Sequence, residues 1–107
     1  MTLEAFRDIL LTLGPPVYHY AADKQEPPYI VWHEFGVRPW HGDNRRQALA
    51  HKIQIDLYTE REYDPLAGAV EALLSENGAA FDGPVTDYDE KTKMIRLIYE
   101  CEVVGGG

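Results

Sequence analysis

The stretch Ala48–Gly78, ALAHKIQIDLYTEREYDPLAGAVEALLSENG, contains the change of period that decides the fold. In its first half Leu49, His51, Ile53, Ile55, Leu57 and Thr59 alternate with Ala50, Lys52, Gln54, Asp56, Tyr58 and Glu60, the repeat of a half-buried strand. In its second half Leu66, Ala69, Val70, Leu73 and Leu74 recur every three or four residues, which marks an amphipathic helix. The period switches at Tyr63-Asp64-Pro65. There Asp64 can accept a hydrogen bond from the first turn, and Pro65 loses no donor that the helix needs. Asn77-Gly78 supplies a left-handed stop. The spacing predicts a long strand, a capped turn and a three-turn helix folded back on the sheet. Nothing in this unit has the pattern of a catalytic group.

Upstream, Thr2 caps a first helix whose stripe is Leu3, Phe6, Leu10 and Leu13 with Ile9 beside it, and Gly14-Pro15-Pro16 ends it. Val17–Ala21 reads as a short strand. A polar loop to Pro28 follows, because Pro27-Pro28 cannot donate to a ladder. Tyr29–Gly36 (YIVWHEFG) is rich in β-formers on both faces, which suggests a strand covered by the core on one side and by a further subunit on the other. Val37–Gln47 (VRPWHGDNRRQ) is too long and polar for a tight hairpin and reads as a long loop. Downstream, Ala80–Tyr88 is a strand interrupted at Gly83-Pro84, as fits an edge or a bulge, and Asp87–Lys93 makes a charged turn. Met94–Val104 closes the domain, with Ile95, Leu97, Tyr99, Cys101 and Val103 on one face. The order αβββαββ is that of a single α+β domain over residues 1–104, a mainly antiparallel sheet with two helices packed on one face. Gly105–Gly107 reads as a flexible tail or an expression remnant.

The 107 residues suffice for one self-sufficient core, burying roughly two thirds of the unfolded surface. A formal charge of −8, with ten Lys and Arg thinly spread, argues against a sequence-specific duplex-DNA binder. A lone cysteine, Cys101, excludes an internal disulfide and suggests a reducing compartment. No apolar run approaches the ~18 residues of a membrane span.

The candidate chemistry is thin. His33, His41 and His51, near Glu34 and Asp43, match no zinc spacing, so no metal site is expected. Cys101 lies between Glu100 and Glu102, which disfavour a thiolate, and reads as a small core residue. Phosphate-binding loops are absent, and no cofactor or enzymatic activity is expected. The protein-contact candidates are Trp40 in the long loop, the basic pair Arg45 and Arg46, Asp43 before them, and Trp32 in the two-faced strand. A basic loop on an acidic domain suggests head-to-tail self-association, the loop of one copy meeting the acidic face of the next.

Pro27–Trp32 (PPYIVW), then Asp43-Asn44, then Ile53–Thr59 (IQIDLYT) with Asp64-Pro65, then a closing strand, stand in an order that resembles small proteins of long-tailed phages and prophages. The match covers most of the chain and departs from the usual pattern at Trp32, where Tyr is common, and in the Trp-containing loop. The resemblance is to tail-terminator or tail-completion (head–tail joining) proteins. It implies a structural virion protein that forms a ring, commonly of six, on the finished tail tube and faces the head connector. The implied partners are copies of itself, the tail tube protein and connector proteins, with assembly in the bacterial cytoplasm and a monomer in solution compatible with that. A head-completion or stopper protein of the same neck is the alternative, and a small host enzyme or regulatory binding module the second.

Overall fold

The computed structural model describes residues 1–23, 26–42 and 45–105, and their side chains except for 40–48. It contains α1 (Leu3–Leu11), β1 (Val17–His19), β2 (Tyr29–Gly42), β3 (Arg45–Thr59), α2 (Pro65–Glu76), β4 (Ala80–Asp89) and β5 (Met94–Gly105). The strands form one sheet in the order β1-β2-β3-β5-β4, antiparallel except for the parallel β1–β2 pair. This is the α+β fold expected from the change of period, with the long strand β3 at the centre of the sheet.

Strand alternation sorts the side chains. Ile30 and Trp32 of β2, Ile53, Ile55 and Leu57 of β3, and Tyr99, Cys101 and Val103 of β5 point to one face. Phe6 and Leu10 of α1 and Val70 and Leu74 of α2 cover them, so both helices pack on that face. Each such side chain contributes about 1.5–3 kcal/mol when fully buried, which makes this layer the main source of stability. Phe6 meets Trp32 edge-on, with ring centroids 5.6 Å apart. The Tyr99 hydroxyl donates to Glu71 of α2 at 2.9 Å; burial, reinforced by that bond, raises its pKa and keeps it protonated. Cys101 is a buried core residue, its thiol pushed up to about 12 by burial and then by Glu102, which leaves no thiolate at neutral pH.

The start of α2 follows the sequence closely. Asp64 accepts from the Leu66 N–H at 2.9 Å and from the Thr59 hydroxyl at 2.6 Å, so one carboxylate caps the helix and ties it to the end of β3. Asp64→Ala is expected to lower stability by about 1 kcal/mol in urea denaturation, the usual cost of losing a cap.

Three expectations need correction. Residues 37–42 and 45–47 are not a long loop: β2 runs on to Gly42 and β3 begins at Arg45, paired as a ribbon from Gly36↔Lys52 to Gly42↔Arg45. The ribbon runs past the helices and lengthens the molecule to 52 Å along one axis, against 23 and 21 Å across. Strands projecting beyond a core need no apolar alternation, so their pattern is that of a loop. β1 ends at His19 and not at Ala21, because Tyr20 takes a left-handed backbone with φ 73° that turns the chain away. β5 continues through Gly105, paired with Leu49; residues 106 and 107 of the supposed tail lie outside the described residues. Among the described residues no helix is long and apolar enough to cross a membrane.

Candidate protein interface

The helices leave the second face of the sheet open. Tyr29, Val31 and His33 of β2, Gln54, Asp56 and Tyr58 of β3 and Arg96 of β5 share it. Tyr29 and Tyr58 stack with centroids 4.6 Å apart, and Arg96 pairs with the buried Asp56 at 3.2 Å while Gln54 donates to the same carboxylate at 3.0 Å. These groups bury Val31 without a helix, so the second covering expected for β2 comes partly from side chains of the sheet itself.

The charges on this open face are zoned. Asp82, Asp87 and Asp89 of β4 and Glu100 and Glu102 of β5 lie towards one edge, with Lys91 and Lys93 in the turn beyond β4. Arg38 of β2 and Lys52 of β3 lie towards the ribbon, where Arg38 grips Glu102 at 2.8 Å. The hydrogen bond from Arg38 holds Glu102 below the usual carboxylate range; desolvation, the next largest effect, opposes it, and the charges of Arg38 and Lys52 add to the lowering.

At the β1 edge, His19 stacks on Trp32 at 4.0 Å and on Tyr20 at 4.1 Å, and both His19 and the Tyr20 hydroxyl bond Glu34, at 2.7 and 2.8 Å. Burial pushes the Glu34 carboxyl up, but the bonds from His19 and Tyr20, with a backbone bond and the charge of His19, outweigh it and lower its pKa from the usual glutamate value. With the folded pKa below the unfolded one, the unfolded chain binds more protons between the two, so this contribution is complete above the ordinary glutamate value and is lost as pH falls. Melting temperature should therefore drop on acidification below about pH 4.5, and Glu34→Gln should flatten that limb of the profile.

The sequence-predicted contact residues separate into two groups. Trp40, Arg45 and Arg46 fall on the distal ribbon, their backbones joined by the rungs Trp40↔Ala48, His41↔Arg46 and Gly42↔Arg45, while their side chains lie outside the description. Asp43 lies outside the described residues altogether. Trp32 is a core residue, 2% exposed beneath Phe6 and His19, and its assignment to a partner surface is withdrawn. His33 and His51 point to opposite faces, because His33 pairs with Gln54 on the open side while His51 follows Ile53 and Ile55 on the helix side.

Sequence reasoning missed the exposed apolar residues of the strands. Phe35 and Val37 of β2 and Val85 and Tyr88 of β4 are each about half exposed or more. The register irregularity at Glu34/Gly36 places Phe35 with Gly36 beside Lys52 on the open face. The interruption at Gly83-Pro84 marked β4 in the sequence as an edge or bulged strand, and it is both: β4 is terminal in the sheet and its register shifts between Asp82 and Val85.

No curated protein matches the chain in sequence. Residues 3–104 match the family described as tail completion protein gp17, which spans both helices and almost the entire sheet. A part in completing a phage tail, and a place with that tail, are what such a match suggests for a domain built of surfaces and edges. The chain belongs to the tail completion protein gp17 family.

Proposed function

We propose that this chain is a structural virion protein that closes the finished tail of a long-tailed phage or prophage as a ring, of about six copies by the resemblance, at the head–tail junction. The family match over residues 3–104 carries the reading. The architecture supports it: an open sheet face, two uncovered edges and a projecting ribbon offer surfaces for copies of the chain, for the tail tube and for the head connector. The net charge of −8 suits a passage for DNA, because an acidic wall does not retain the nucleic acid it conducts. Assembly takes place in the bacterial cytoplasm, and the ring stays in the neck of the virion.

Binding to purified parts tests this. The protein should decorate the ends of isolated tail tubes in electron micrographs. Binding to the isolated connector with none to tubes would instead make it a stopper of the same neck, and binding to neither would end the reading.

A further inference from the structure

We propose that copies of this chain join edge to edge, the free edge of β4 in one copy pairing antiparallel with the outer edge of β2, beyond Trp32, in the next. The inference rests on the ring reading above and names the contact that builds it.

Besides the short β1, two strand edges are unpaired among the described residues. β1 reaches β2 only at Ile30–Trp32, so that among the described residues β2 from Glu34 onward has β3 on one side and no strand on the other. Among the described residues β4 pairs with β5 alone. Unpaired edges are templates for another strand.

The side chains on the two edges correspond. Each edge carries exposed apolar residues, Phe35 and Val37 on β2 and Val85 and Tyr88 on β4; in the antiparallel sense Val37 and Tyr88, both on the helix side, can stand opposite each other, which sets Arg38 opposite Asp87. Arg38, which is already paired with Glu102 of its own copy, faces the open side of β2, while Asp82, Asp87 and Asp89 face the same side of β4. Pairing β4 with another β4 would set these aspartates against each other, so the charge pattern disfavours a two-fold contact and favours a head-to-tail one.

Direction agrees as well. β4 is antiparallel to β5, β5 to β3 and β3 to β2, so β4 runs opposite to β2. Rotation about a ring axis preserves that sense, and β4 therefore meets the neighbour's β2 in the antiparallel arrangement. Within one copy β4 lies level with the lower half of β2, where Ala80↔Glu102↔Lys52↔Gly36 marks its upper end. Pairing with the upper half of the neighbour's β2 staggers the copies, as tilted strands do in a closed barrel. Pro39 and Pro84 each remove a donor, which keeps the pairing short and the association weak until copies are concentrated on a template.

Oxidative cross-linking tests the contact. A chain carrying both Val37→Cys and Tyr88→Cys, with Cys101 left buried, should form a covalent ladder ending at the ring size on isolated tails, while either single variant should stay below a dimer. A wild-type background should give no ladder. No ladder from the double variant on tails that the wild type occupies would overturn the contact and leave the ring reading standing. A ladder from the double variant, with no binding of the wild type to tails, would sustain the contact and end the ring reading. Efficient dimers from Tyr88→Cys alone would overturn the head-to-tail arrangement. Independently, Asp87→Lys should weaken self-association by about tenfold or more in sedimentation at high protein concentration, since it sets a lysine opposite Arg38. Unchanged association would count against the charge pairing.

Discussion

Trp32→Ala is expected to lower the free energy of unfolding by ~3–5 kcal/mol, the range for truncating a large aromatic in a close-packed core. The indole sits at 2% exposure, edge-on to Phe6 of α1 and stacked under His19 of β1, so its loss empties the space that joins the helix layer to the β1 edge. Trp32→Phe should cost about 1 kcal/mol, because among the described residues the indole N–H has no hydrogen-bond partner and only volume is lost. Denaturant melts of the two variants separate this account from one in which Trp32 contacts a partner. A partner contact would leave the melts of both variants close to that of the unmodified chain and would weaken assembly instead.

Gly83→Ala is expected to cost ~3 kcal/mol, from a left-handed backbone together with a collision. Gly83 has φ 112°, and an added Cβ would lie 2.7 Å from the Ile98 carbonyl oxygen and 3.3 Å from the Tyr99 Cα. Relief requires β4 to move away from β5, which would carry Val85, Asp87 and Tyr88 with it. Gly78→Ala serves as the control: φ is 71° but nothing lies within 4 Å of the new methyl, so about 1 kcal/mol is expected. A thermal melt in which the two variants behave alike would mean that β4 does not press on β5 as described.

The positions legible in the sequence were those where burial imposes a period. The alternation of β3 and β5, the stripes of α1 and α2 and the Asp64-Pro65 start of α2 stood in the residues, because each buries one face against the same core. The ribbon did not, since its ladder depends on backbone groups that every sequence has. Trp32 was misread for a related reason: in YIVWHEFG apolar side chains occupy both faces, and period alone cannot say which face the helices take. The candidate interface was less legible than the core. Its apolar residues are separated by about fifty positions, and only the strand order β1-β2-β3-β5-β4 shows that the two groups lie on opposite edges of one sheet.

Under the proposed function this domain acts by assembling surfaces on a tail. Electron microscopy of particles made by the parent phage or prophage with this chain deleted tests it most directly. Filled heads left unjoined beside tails of irregular length are the predicted result, restored to whole virions when the chain is supplied in trans. Joined virions with tails of uniform length in the deletion strain would contradict it.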